Sequence, residues 1–163
     1  MSSGYATWPN YLRCLELHPS ATVHARAAHL LAGNGRTAEA IHHYREALSL
    51  SAACAPALDG LAWIMATSPV AAYRIGFEAV QLAERACELT HSEVPEMLGT
   101  LAVAYAEAGL LTMAIGTGER ACAAARAAGE VELARHNQEL LALYRAGQPR
   151  RQVPGPASAS SDR

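Results

Sequence analysis

The sequence predicts an all-α fold in which helical hairpins stack on one another. Hydrophobic residues make up 51% of the 163 residues, alanine is abundant and aromatic residues are only 6%. Alanine loses no side-chain entropy in a helix, so this composition favours helices. The segment AEAIHHYREALSL at 38–50 also recurs, as FEAVQLAERACEL at 77–89 and as TMAIGTGERACAA at 112–124. Recurrence of one helical segment at a regular spacing is typical of repeat architectures.

The three copies are aligned by two alanines that stand seven residues apart in each copy. These pairs are Ala40 and Ala47, Ala79 and Ala86, and Ala114 and Ala121. The first alanines are separated by 39 residues (79 − 40) and then by 35 residues (114 − 79). This spacing indicates a repeat of about 34 residues with one insertion.

A further helix is predicted before each copy. The segments 22–35, 57–68 and 96–109 carry similar small and apolar pairs, and two of them end at a glycine, Gly35 and Gly109. Glycine is favoured just after a helix because that residue often adopts a positive φ. Each unit is therefore predicted to be a helix, a short turn and a helix. One hairpin cannot bury its apolar face alone, so the units are expected to stack around a shared core.

The third unit resembles the signature of the tetratricopeptide repeat (TPR) family. It has a small-residue pair, an aromatic residue, a turn glycine and two spaced alanines, at Leu101, Ala102, Tyr105, Gly109, Ala114 and Ala121. The first unit has the expected aromatic residue at Tyr44, but His24 stands where Trp or Leu is usual. Ala83 and Gly118 replace that aromatic residue in the second and third units. The resemblance covers residues 7–128 approximately and implies a right-handed α–α superhelix of TPR-like hairpins.

The second unit contains an insertion within SPVAAYRIG at 68–76. A similar loop divides the hairpin in a variant found in bacterial TPR proteins, which this stretch resembles. We expect a short extra turn here, with Ser68 as its N-cap and an end near Gly76.

The two ends of the chain are predicted to differ. NYLRCLELHPS at 10–20 resembles the end of a preceding unit's second helix. EVELARHNQELLALYRAG at 130–147 has leucines on one side and polar residues on the other, which is typical of an amphipathic helix that caps a stack. The expected organisation is a partial preceding repeat helix over 1–20, repeat 1 over 21–54, repeat 2 over 55–93, repeat 3 over 94–129, a capping helix over 130–147 and a disordered tail over 148–163.

Composition and charge argue against several classes of protein. The net charge is −2 and all thirteen basic residues are arginine, without the basic excess expected of a nucleic-acid binder. The four cysteines, at 14, 54, 87 and 122, form no CxxC motif, which argues against a zinc or redox site and fits a reducing compartment. Residues 1–20 lack signal-peptide features, and no apolar run approaches the roughly 20 residues that span a bilayer. We therefore expect a cytoplasmic protein that contacts neither nucleic acid nor membrane.

No catalytic, metal or cofactor site is predicted. The adjacent His42 and His43 are the strongest candidates, with Glu39 and Glu46 nearby. Neighbouring residues on a helix point about 100° apart, so the two histidines cannot hold one ion together. GTGER at 116–120 has glycines but falls inside a repeat helix with no preceding strand, so a phosphate loop is not expected. The expectation is a protein that is not an enzyme and needs no cofactor.

The resemblance implies a groove that binds a peptide or a partner helix. In the family the first helices of successive units line this groove, and the matching positions are Ala25, Arg26, His29, Asp59, Gly60, Trp63, Gly99, Thr100 and Val103. Trp63 is either a binding hot spot or packs beneath the inserted loop near Pro69 and Tyr73. The Lys/Asn/Arg clamp by which some relatives hold acidic chaperone C-termini does not occur at these positions, so chaperone docking is not expected.

Two functions remain open at this point. One is a scaffold that binds a protein segment, and the other is the non-catalytic C-terminal TPR portion of a larger enzyme, such as a glycosyltransferase. The apparent start inside a repeat favours the second, while the lack of a basic stripe disfavours a third, RNA binding. An uncapped solenoid end exposes its stacking surface, so we also expect self-association through residues 1–30, where Tyr11 and Leu15 are apolar.

Overall fold

The structure, a computed structural model, describes residues 19–150, which contain seven α-helices and no β-strand. The helices are α1 (Ala21–Gly33), α2 (Thr37–Leu50), α3 (Ala55–Thr67), α4 (Gly76–Leu89), α5 (Pro95–Glu107), α6 (Leu111–Ala127) and α7 (Val131–Arg145). A short 3₁₀ helix, Ala71–Tyr73, lies between α3 and α4. The expected all-α fold is therefore confirmed.

The helices pack in a regular order. Each helix packs against the next one along the chain. In addition, α1 contacts α3, α3 contacts α5 and α5 contacts α7. The odd-numbered helices therefore lie side by side in one row. Among them, α5 is the most enclosed, since eleven of its thirteen residues are buried, against eight of thirteen in α3.

The alanines of the repeat are buried between the helices. The six alanines that align the repeat are all fully buried: Ala40, Ala47, Ala79, Ala86, Ala114 and Ala121. The pair positions before them are equally enclosed, since Ala28 and Ala62 are fully buried and Ala102 is 1% exposed. A small side chain lets two helix backbones approach closely, and larger neighbours fill the space around it. The spacing of alanines in the sequence thus corresponds to a layer of the core.

Tyrosine rings fill the space at two of the unit boundaries. Tyr44 of α2 is buried and lies against α3, where a Cβ on Gly60 would overlap its ring. Gly118 of α6 stands where the third unit lacks an aromatic residue, and a Cβ there would lie 3.4 Å from Leu141 Cδ1 and 3.6 Å from the Tyr144 ring. Side chains from α7 therefore occupy the space that an aromatic residue in α6 would have filled.

The helix ends follow the glycine signals in the sequence. Four glycines with φ between 75° and 79° follow α1, α5, α6 and α7, and they are Gly35, Gly109, Gly129 and Gly147. Glycine lacks the Cβ that makes this backbone region unfavourable, so it ends a helix readily. The end of α4 lacks a glycine, and positive φ values of 54° and 56° fall instead on His91 and Ser92.

The insertion in the second unit begins differently from the prediction. Ser68 was expected to be an N-cap, but it ends α3, and its hydroxyl accepts a hydrogen bond from the Val70 N–H at 3.2 Å. The 3₁₀ helix begins only after Val70. Proline disfavours helical backbone at the residue before it, so Pro69 keeps Ser68 extended, with ψ at 136°.

Polar contacts tie the insertion to the helices on both sides. The Ile75 N–H donates to the Met65 carbonyl at 3.1 Å, and the Arg74 guanidinium donates to the Ser68 carbonyl at 2.7 Å. Arg74 Nε also lies 3.2 Å from Glu107 Oε1 at the end of α5, and the two side chains are only 17% and 11% exposed. The insertion therefore links the second hairpin to the third.

Some sequence-based expectations fall outside the described residues. The partial helix near 7–17 and most of the predicted self-association surface over 1–30 belong to this group. So does the predicted disordered tail, except for residues 148–150, which follow α7 without regular secondary structure.

Candidate binding groove

Two adjoining cavities open beside the row of odd-numbered helices. Both are lined by His29, Tyr44, Asp59 and Gly60. The first, of about 330 Å³, also extends to Trp63 and is named here the Trp63 cavity. The second, of about 570 Å³, extends to Met97 and is named the Met97 cavity. Together they form the candidate binding groove.

The ring of Tyr44 reaches the groove because Gly60 has no side chain. The ring packs directly against the backbone of α3 at that glycine. Burial, reinforced by the nearby Asp59 carboxylate, raises the pKa of the Tyr44 hydroxyl above its ordinary value. Tyr44 is therefore neutral under physiological conditions and contributes a phenol ring to the groove.

The structure brings together most of the residues that the sequence assigned to the groove. Ala25, Arg26, His29, Asp59, Gly60, Trp63 and Thr100 line one or both cavities. Val103 does not, because it is fully buried in α5, and it is withdrawn from the candidate site. Gly99 is buried as well, and a Cβ there would lie 3.0 Å from Asn137 Oδ1 of α7. Both residues lie on α5, where eleven of thirteen residues are buried and little surface is left for a groove.

Asp59 is the main charged group of the groove. It is largely buried, and its Oδ1 atom has no hydrogen-bond partner among the described residues. Burial raises the pKa of this carboxyl to about 6, the Glu96 charge adds to the rise, and the Thr100 hydroxyl and His29 act in the opposite direction. Removing an ionised carboxylate from water is unfavourable unless a partner compensates its charge. Asp59 is thus a largely buried carboxylate with one oxygen, Oδ1, that lacks a hydrogen-bond partner, and Thr100 and His29 offset part of the cost of its charge.

Trp63 lies one helical turn after Asp59 and forms another wall of the groove. It is partly exposed and lines the Trp63 cavity together with Ser68. The guanidinium of Arg150 lies over its ring, 5.4 Å from the ring centroid. Arg150 Nη1 is also 3.0 Å from His136 Nε2, and because arginine only donates, this imidazole nitrogen is the acceptor.

Sequence reasoning missed the Arg150 contact. Residues 148–163 were assigned to a tail by their Pro-rich, polar composition, which gives no periodic signal of a contact. The short segment after α7 nevertheless brings Arg150 to α3, and His136 of α7 supports it there. The groove therefore has an arginine at its margin that comes from a distant part of the sequence.

The histidines form a contact that the sequence did not reveal. His24 of α1 and His43 of α2 approach within 3.1 Å through their Nδ1 atoms. Burial and the neighbouring His24 and His42 lower the pKa of His43, which favours its neutral form. No group of three or more potential metal ligands is found within residues 19–150, and neither His24 nor His43 lines the two cavities.

The cysteines of the described region lie in the core. Cys54, Cys87 and Cys122 are buried and unpaired with one another. Burial raises the pKa of the Cys87 thiol to about 11, so its nucleophilic thiolate is scarce at neutral pH. These three residues act as small apolar groups in the core.

No protein-family model matches the sequence, and no curated protein matches it significantly. Among α1 to α7, no helix combines the length and the apolar character needed to cross a bilayer. Function must therefore be inferred from the arrangement of the helices and the chemistry of the groove.

Proposed function

We propose that this chain is a non-catalytic protein-interaction scaffold. In this proposal the hairpins form a TPR-like, right-handed superhelix with a bacterial-type insertion, and the groove binds a peptide or a helix of a partner protein. The observation that carries the proposal is the row of first helices α1, α3 and α5, beside which two adjoining cavities open. The buried alanines at each repeat position support the same architecture.

The size and lining of the groove suit side chains of a peptide. Ligand pockets commonly measure about 300–1,000 Å³ and combine apolar walls with a few polar groups. Here Leu30, Trp63 and Met97 supply apolar walls, and Asp59 and His29 supply polar groups. Methionine and tryptophan adapt to partner side chains through a flexible thioether and a large ring, respectively.

The cytoplasm is part of the same proposal. Three buried cysteines in the described region are free thiols, and unpaired cysteines are typical of reducing compartments.

A peptide-display selection tests the proposal. A random peptide library would be selected on the full chain, and the enriched peptides would be measured against two groove variants, Arg26→Glu and His29→Asp. Both side chains are exposed and line the groove, so the substitutions should leave the fold intact. We expect the affinity to change about tenfold or more, rising for basic peptides and falling for acidic ones, because both substitutions add negative charge to the groove.

Arg45→Glu is the matched control. Arg45 is exposed on α2 and lines neither cavity. Enriched peptides should bind this variant as they bind the parent chain. A library that yields no binder, or binders indifferent to both groove variants, would contradict the proposal.

A further inference from the structure

The charge and the aromatic wall of the groove indicate which kind of peptide it accepts. We infer that the groove binds an arginine side chain of its partner, with the guanidinium placed between the Asp59 carboxylate and the Trp63 ring. This inference rests on the proposed function and specifies the chemistry of the ligand.

Asp59 supplies the attraction for a cation. Asp59 lines both cavities, and its buried Oδ1 atom has no hydrogen-bond partner in the described fold. Charged and titratable groups near it come from every surrounding element: His29 and Arg26 from α1, Tyr44 from α2, Cys87 from α4 and Glu96 from α5. Arg26 lines the Met97 cavity and not the Trp63 cavity. On the Trp63 side the described lining residues include no arginine, and the guanidinium of Arg150 over the Trp63 ring donates to His136.

Trp63 supplies a surface that suits a guanidinium. Asp59 and Trp63 are four residues apart on α3, so their side chains lie on the same face of the helix. Arginine is planar, stacks on aromatic rings and pairs with carboxylates through its fork of N–H groups. The position of Arg150 over Trp63 shows that this ring accepts a guanidinium within the fold itself.

Arg150 does not fulfil the role of the ligand. Its guanidinium donates to His136, and Asp59 Oδ1 remains without a partner while Arg150 is in place. Arg150 therefore leaves Asp59 Oδ1 free to pair with another cation, and the inference assigns that cation to a peptide in the groove.

Small probes test the inference directly. Nα-acetyl-arginine methylamide would be titrated into the full chain, with the neutral isostere Nα-acetyl-citrulline methylamide as the matched ligand. The chain has two tryptophans, so a Trp8→Phe background leaves Trp63 as the sole reporter of indole fluorescence. We expect saturable quenching by the arginine probe and an affinity for the citrulline probe about tenfold lower.

Asp59→Asn in the same background should reduce the affinity for the arginine probe about tenfold. Glu93→Gln, which removes an exposed carboxylate outside both cavities, should leave the affinity unchanged. Binding to the parent should weaken as the pH falls below about 6, where Asp59 becomes protonated. The pH dependence of binding should persist in His29→Gln and disappear in Asp59→Asn. This pair of variants shows whether the Asp59 carboxyl or the His29 imidazole causes the pH dependence.

The possible failures are distinguishable. Equal binding of the arginine and citrulline probes, or of the parent and Asp59→Asn, would overturn the arginine inference. Library peptides could still bind the groove without an arginine, and the scaffold proposal would then stand alone. Binding that appears only after Arg150→Gln and Arg151→Gln would also overturn the inference, because the chain's own arginines would then be the occupants.

Discussion

Replacing Asp59 by asparagine should stabilise the fold above pH 6. Asparagine has nearly the same shape as aspartate but carries no charge, so the substitution removes the unfavourable burial of a carboxylate. Asp59 Oδ1 has no hydrogen-bond partner in the described fold, so little is lost when the charge is removed. A residue that prepares a binding site for a cation is thus expected to lower the stability of the unliganded protein.

The magnitude follows from the two pKa values. Burial raises the pKa of Asp59 from 3.8 to about 6. Between these values the folded state binds more protons than the unfolded state, so stability falls as the pH rises through that window. A tenfold change in an equilibrium constant is worth 1.4 kcal/mol, which gives a loss of about 3 kcal/mol above pH 6 as an upper figure. Partial solvent access to Asp59 lowers the expected effect to about 1–3 kcal/mol.

Urea unfolding at two pH values measures this effect. At pH 7.5 Asp59→Asn should be more stable than the parent by about 1–3 kcal/mol, and near pH 4 the two should be nearly equal. Glu93→Gln, an exposed carboxylate replaced in the same way, should differ from the parent by less than about 0.5 kcal/mol at both pH values. Equal free energies of unfolding for Asp59→Asn and the parent at pH 7.5 would refute the reasoning, because the carboxylate would then be adequately solvated or paired.

Three further predictions concern packing and association. Ala62→Leu should lower the free energy of unfolding by about 1–3 kcal/mol through overpacking, whereas Ala142→Leu on the exposed side of α7 should leave the thermal midpoint nearly unchanged. Gly60→Ala should destabilise the parent chain, because the new methyl group overlaps the Tyr44 ring. In a Tyr44→Ala background the same substitution should stabilise the fold by about 0.5–1 kcal/mol, because alanine has the higher helix propensity. An equal destabilisation in both backgrounds would show that the Tyr44 ring is not the cause. Light scattering of the full chain should report a dimer or larger species that shifts towards monomer when Tyr11 and Leu15 are both replaced by glutamate. A parent that is monomeric at high micromolar concentration would refute self-association through residues 1–30.

The sequence predicted the helices and their order because the repeat consists of small residues, chiefly alanines, at regular positions. Alanine recurs where two helix backbones approach, so one periodic pattern marks both the secondary structure and the contacts between helices. The helix ends were equally readable where glycine adopts a positive φ. His91 and Ser92 end α4 with positive φ but without glycine, and no sequence signal marked them.

The groove was predicted only in part, for geometric reasons. Helical periodicity assigns a residue to a face, but it does not tell how many neighbours cover that face. Val103 is fully buried on α5, where eleven of thirteen residues are buried, although its periodic position matched the groove. Contacts between distant segments, such as Arg150 with Trp63 and His24 with His43, depend on how helices cross, and local patterns do not encode this.

The polar tie between the insertion and α5 has a mechanical consequence. In a linear stack each hairpin touches only its neighbours, so the stack bends and twists at the joints between hairpins. Arg74 stabilises the joint between the second and third hairpins. Its guanidinium donates to the Ser68 carbonyl of the second hairpin and pairs with the Glu107 carboxylate of the third, where both side chains are largely shielded from water. At the joint between the first and second hairpins, the Tyr44 ring instead packs on the backbone of Gly60, and this van der Waals contact involves no hydrogen bond. Elastic deformation should therefore concentrate at the first joint, where both cavities open.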